Sequence, residues 1–175
     1  MKVDADAQLS FARDQVFSAY RDRLTEMVPY LGNINSIVEE SRQDEGGLSH
    51  VVNIWRSSDA DLPKVARSVV KPDMLAWRDH AKWNAEEWTC EWRVEHLAFG
   101  QAVDCAGKNR FIDRGDSCTV EIRGHLNVDA KHMPGVPRLL AGTVGPVIER
   151  FIVESIKANL VKTADGVASY LEARR

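Results

Sequence analysis

The stretch "WRDHAKWNAEEWTCEW", residues 77–92, holds four of the five tryptophans in a chain of 175 residues. Read at period two, it separates into two faces. From 75 to 83, Leu75, Trp77, Asp79, Ala81 and Trp83 share one parity, and Arg78, His80 and Lys82 share the other. From 87 to 96, Trp88, Cys90, Trp92, Val94 and His96 share one parity, and Glu87, Thr89, Glu91, Arg93 and Glu95 the other. Two alternating runs around "NAEE" predict an antiparallel hairpin with one aromatic and one charged face. A helix is the alternative. The nearly unbroken alternation and the strand preference of tryptophan decide against it.

Working outward, residues 34–43 and 48–57 read as two strands joined by the "DEGG" turn at 44–47. In the following segment, 58–72, Asp61 is placed to cap a short helix that opens at Leu62-Pro63 and stops before Pro72. Near the start, Val3, Ala5, Ala7, Leu9 and Phe11 alternate with polar residues, which predicts a strand. Val16, Phe17, Tyr20, Leu24, Met27 and Val28 then recur at helical spacing. That stripe divides naturally into two short helices, because "RDRLTE" is almost wholly polar.

Downstream, a strand over 101–113 is expected to be interrupted near Gly107. "DRGDS" turns the chain into the cleanest strand, 117–128. Its inner face carries Cys118, Val120, Ile122, Gly124, Leu126 and Val128. A long helix follows from about 138 to 171, with Val147, Ile148, Phe151, Ile152, Ser155 and Ile156 on its packing side. Pro146 either kinks it or marks its start. Strand, helical segment, six strands and a long helix make an α+β domain over 1–175, in which the helix covers the apolar face of the sheet.

Composition narrows the function. The chain is 44% apolar and 28% charged, with a net charge of −3, and its basic residues are dispersed among acids. Nucleic acid is therefore not an expected partner, since phosphate binding needs a concentrated basic face. Cys90, Cys105 and Cys118 show no CxxC spacing, so the expectation is reduced thiols in a cytoplasmic protein, with no disulfide framework or structural zinc. "MKVDAD" does not read as a secretory signal, and no apolar run reaches the ~20 residues of a membrane span. The five histidines have neither HxxxH nor HExxH spacing, so no metal is expected. "GTVGP" at 142–146 lacks the Lys-Ser/Thr of a phosphate loop, and no GxSxG elbow occurs, so no cofactor is expected either. The Arg114-Gly115-Asp116 tripeptide reads as a turn.

The element order resembles the helix-grip fold of the START-like (SRPBCC) superfamily. "RDQVFSAYRD" follows the first strand, as a similar helix opening does in many members. "IRGHLNVDAKHMPGVPRLL" leads into "GPVIERFIVESIKANL" as the last strand leads into the gripping helix. The region around Glu149 also looks like bacterial members of unknown function and, more distantly, like PRELI-type lipid-transfer proteins. The resemblance implies a seven-stranded antiparallel sheet wrapped around the long C-terminal helix, with a cavity between them. Members bind lipids, sterols, polyketides or plant hormones; some are cyclases or aromatases, others transfer proteins or co-chaperones.

On that frame Trp77, Trp88 and Trp92 would line the cavity, with Val120 and Ile122 from the strand and Ile148, Phe151, Ile152 and Ser155 from the helix. Asn53, Asp79 and His96 are the candidate polar groups. Plain core remains the alternative for every one of these rings, and an edge carboxylate in water the alternative for Asp79. Trp83, at the hairpin end, is expected to be exposed. The segments 58–72 and 129–137 would form the rims. The leading expectation is a non-enzymatic binder of a hydrophobic small molecule or lipid. Its rivals are a cyclase-type enzyme using Asp79 and His96 as acid and base, and an interaction module with an exposed patch around Trp83 or Trp55.

Overall fold

The tryptophan hairpin forms the middle of a seven-stranded antiparallel sheet. The computed structural model describes residues 1–58, 75–129 and 141–175, and, of the side chains between 141 and 157, those of Pro146, Arg150, Val153, Glu154 and Ile156. The strands are β1 (Lys2–Leu9), β2 (Ile34–Glu45), β3 (Leu48–Ser57), β4 (Ala76–Asn84), β5 (Thr89–His96), β6 (Gly100–Asp113) and β7 (Cys118–Val128). They lie in the order β1-β7-β6-β5-β4-β3-β2. Helix α1 (Arg13–Asp22) and a 3-10 helix (Leu24–Tyr30) join β1 to β2, and α2 (Ala141–Glu172) closes the chain. The stripe at 13–30 does split in two, at the polar stretch between its halves. The helix expected over 62–71 and the break at 131–137 lie outside the described residues.

The registers turn the period-two pattern into rows across the sheet. One inner row runs Trp55–Trp77–His96. The next runs Asn53–Asp79–Val94–Cys105–Leu126, and the third Val51–Ala81–Trp92–Gly107–Gly124. A fourth runs Ser49–Trp83–Cys90–Asn109–Ile122. The opposite face carries charge: Arg78 on Glu40 at 2.8 Å, His80 on Glu95 at 2.9 Å and Lys108 on Glu91 at 3.3 Å. Such exposed pairs contribute about 0–1 kcal/mol each. They fix which face is outward more than they stabilise the fold.

Two local expectations change. Strand β6 is continuous through Gly107, with no interruption there. Gly107 is small because the Trp92 ring from β5 and the Arg123 carbonyl of β7 occupy the space that a Cβ would take. Trp88 does not continue the inner parity of β5. It sits in the β4–β5 turn with φ of 55°, in the left-handed region. The turn is organised by Asn84, whose Oδ1 accepts from the backbone N–H groups of Glu86 and Glu87, each at 3.0 Å.

Helix α1 plugs one end of the concave face. Phe17 meets Trp83, Trp88 and Phe111 edge-on at centroid distances of 5.3, 5.2 and 5.1 Å, an arrangement that suits the ring quadrupoles. Helix α2 begins before Pro146, so that proline lies within it and does not mark its start. Its C-terminal turns bury Val167 and Tyr170, and Gly166 packs on Leu31. The Tyr170 hydroxyl donates to Glu26 at 2.6 Å, tying the end of α2 to the 3-10 helix.

Candidate functional site

The third inner row explains why the concave face is hollow. Ala81, Gly107 and Gly124 add almost no side-chain volume, so the Trp92 indole lies down over the two glycines. Its Nε1 donates to Asn109 Oδ1 at 2.8 Å and holds the ring in that pose. The space above is a cavity of about 150 Å³. Trp55, Trp77, Trp83 and Trp92 stand on its wall, with Tyr20 and Leu24 on the α1 side and Ile156, Asn159, Leu160 and Thr163 from α2. Along β4 the wall runs from Trp77 to Trp83, roughly 20 Å at strand rise. Trp55 and Trp77 stack at 5.9 Å with their planes 15° apart.

The wall is apolar apart from a few groups, and several of the residues that carry them have buried polar atoms with no partner among the described residues. Among the described residues, nothing pairs with the Tyr20 hydroxyl, Trp55 Nε1 or His96 Nδ1, all buried. Each such group costs about 1–3 kcal/mol if left unpaired. Burial pushes the Tyr20 phenol well above its usual range, so it stays a donor. Burial also lowers His96 to about 4, so its ring is neutral at pH 7. The ring lies against Phe99 at 4.4 Å. Asp79 keeps some accessible surface, and it lines the cavity. Burial raises its carboxyl to about 7, with a small opposing pull from His80. Asp79 and His96 occupy diagonal positions on β4 and β5, about 7–8 Å apart in such pairs. They do not form a hydrogen-bonded acid–base couple.

Of the residues expected at the site, Trp77, Asp79, Trp92, His96 and Ile122 share the cavity wall. Trp88, Asn53 and Val120 do not. Trp88 leaves the strand at the turn and is held between Phe17 and the Arg13 guanidinium, 4.2 Å from its ring. Asn53 is buried directly across from Asp79 but does not reach the cavity. Val120 is packed in the core one row beyond Ile122, opposite Phe111. The side chains of Ile148, Phe151, Ile152 and Ser155 lie outside the described residues. Trp83 and Trp55, expected at the surface for an interaction patch, are 4% and 6% exposed and face the cavity. The hairpin end is covered by α1, a contact that no strand pattern announces.

Sequence reasoning missed Tyr20, Asn109, Asn159 and Thr163. Asn109 carries a usable signal: like Asp79, it is a polar residue on an inner parity. Tyr20 has none, because a phenol on a helical stripe reads simply as core.

A profile of the family described as "Protein of unknown function (DUF2505)" matches residues 4–171. No curated protein matches the sequence. Among solved structures, the Zhui aromatase/cyclase from Streptomyces sp. R1128 superposes with a TM-score of 0.68 at 13% identity, covering 99% of this chain and 94% of that one. The protein TTHA0849 from Thermus thermophilus gives 0.64 at 15% identity, covering 97% and 99%. A START superfamily protein from Mycobacterium smegmatis gives 0.57 at 11% identity, covering 99% of each. At these identities the likeness is one of fold: an open antiparallel sheet with a C-terminal helix, as in START-like proteins.

Proposed function

The chain belongs to the DUF2505 family and has the START-like fold, and for it we propose that the cavity binds a hydrophobic small molecule or lipid. One observation carries the reading: an apolar space is lined by four tryptophans, and its lining residues include buried polar atoms that no described residue satisfies. A packed core does not keep such groups, because nearly all buried polar atoms in folded proteins are paired. A hydrophobic ligand would fill the space and cover the tryptophan faces on its wall. The similar START-superfamily and aromatase/cyclase structures support a cavity of this kind. Among the described residues, no helix is long and apolar enough to cross a membrane.

The test is to compare native and denaturing mass spectra, extract the protein with organic solvent, and identify what is released. Tryptophan emission then reports rebinding. Trp92→Ala should weaken binding by about tenfold or more, as loss of a wall ring does, while Trp88→Ala should leave it nearly unchanged. Equal effects of both substitutions would remove the cavity assignment.

A second reading is favoured by Asp79. A carboxyl that titrates near neutrality, on the wall of a water-poor cavity, can both take and return a proton. The reading is a cyclase- or aromatase-type reaction with Asp79 moving the proton and neutral His96 orienting a polar group of the substrate. Asp79→Asn should then abolish turnover of a bound polyketone while its binding persists.

A further inference from the structure

Asp79 is surrounded in a way that specifies a charge. On its own strand, Trp77 and Ala81 flank it on the same face. Directly across stand Asn53 on β3 and Val94 on β5, and the diagonal neighbours are Val51 and Trp55 on β3 and Trp92 and His96 on β5. Diagonal neighbours lie within reach of aromatic side chains. On the cavity wall, the positions around the carboxyl therefore include three indoles and an imidazole.

No lysine or arginine side chain lies on that wall among the described residues. The imidazole beside Asp79 is neutral at pH 7. Among the described residues, the side chain whose charge acts on Asp79 is His80, which has the opposite parity and is bound to Glu95 at 2.9 Å on the outer face. A carboxyl in this position has two ways to lower its free energy: keep its proton, or receive a cation from outside. An anionic ligand group would face a carboxyl with no cation among the described residues between them, and the low dielectric of the cavity would magnify the repulsion. A cation is favoured twice, by the carboxylate and by the faces of tryptophan rings, which attract ammonium groups within about 6 Å.

We propose that the cavity selects an organic cation: a hydrophobic amine whose ammonium sits against Asp79 and whose hydrocarbon part lies along Trp55, Trp77 and Trp92. This rests on the reading that the cavity is a binding site, and narrows it to a ligand class.

Three probes of matched shape separate the possibilities: naphthylethylamine, naphthylethanol and naphthylacetate. Their affinities for the full chain are measured by titration calorimetry at about pH 8, where Asp79 is ionised and the amine charged. The expected order is amine, then alcohol, then carboxylate, with the amine at least about tenfold tighter than the alcohol, as for other ligands held by a desolvated ion pair. In Asp79→Asn the amine and alcohol should bind within about threefold of each other, because the cation loses its counter-charge. Alcohol binding as tight as amine in the native chain, or an amine preference that survives Asp79→Asn, overturns the amine assignment and leaves the hydrophobic-cavity reading standing. Binding of none of the three overturns the cavity reading and the amine assignment with it. The Asn side chain is nearly isosteric with Asp, and a matching melting curve shows that the fold is kept; if the variant does not fold, the ranking in the native chain decides alone.

Discussion

Burial in the cavity wall raises the Asp79 carboxyl to about 7. The effect on stability has the opposite sign from that of an ion-paired aspartate. Below the usual carboxyl range, both folded and unfolded chains carry the proton, and Asp79 costs nothing. As pH rises from about 4 to about 7, the unfolded chain ionises first and is favoured, and above 7 the cost is complete. Each tenfold change in proton affinity is worth about 1.4 kcal/mol, so the cost reaches about 4 kcal/mol at most. Asp79→Asn should therefore stabilise the protein at about pH 8 relative to its effect at about pH 4, by roughly 1–4 kcal/mol in urea unfolding. A difference that does not change between the two pH values would show that Asp79 does not titrate between them. The sequence exposes the oddity of Asp79, a charge on an apolar parity. Two readings of that oddity are open at that level, because parity says which face a residue takes and not what covers the face. Tyr20 is illegible for the same reason: only the packed α1 shows that it borders the cavity and that its buried hydroxyl has no partner among the described residues.

At the scale of elements, alternation predicts well wherever both neighbours of a strand are regular. Strands β3, β4, β5 and β7 fall within two residues of their expected bounds at each end, since each inner row needs every second side chain to point the same way. The failures have local causes. Trp88 has the right parity in sequence but loses it at a turn, where Asn84 captures the backbone and φ becomes positive. Gly107 reads as a break in the sequence, since a strand glycine signals either a bulge or a close approach. The ring that approaches comes from another strand, and periodicity within one strand is blind to it. Gly107→Ala should lower stability by about 1–3 kcal/mol, as overpacking does, and shift tryptophan emission through displaced Trp92. Gly32→Ala is the comparison, since a Cβ there meets nothing within 4 Å. Equal denaturation midpoints for the two variants would mean that Trp92 does not rest on Gly107.

At the scale of the molecule, element order is enough to suggest the START-like fold, because a seven-stranded sheet with one apolar face and one long amphipathic helix has few ways to close. The ties that close it are not visible in the sequence. The Met1 ammonium donates to the Leu126 carbonyl at 2.8 Å, and Tyr170 reaches Glu26 across most of the chain. With β1 and the last turns of α2 fastened to the body that carries the cavity walls, filling the cavity should stabilise these elements together in one transition. A ligand at about a hundredfold excess over its Kd should add about 2.7 kcal/mol, seen as a single melting curve moved upward. A rise confined to part of the unfolding transition would show that the cavity and the ends unfold separately.

The strand order also leaves the described sheet with two ends, β1 and β2. Strand β1 carries Asp4 and Asp6, while β2 carries Glu39, Glu40, Asp44 and Glu45 and breaks register twice along its length. A second copy approaching β2 would meet a strand whose register is twice broken, a poor template for continued pairing. Glu40 and Asp44 are already held by Arg78 and Arg42, so what makes this edge a poor seed for a growing stack of strands is its uneven backbone more than bare charge.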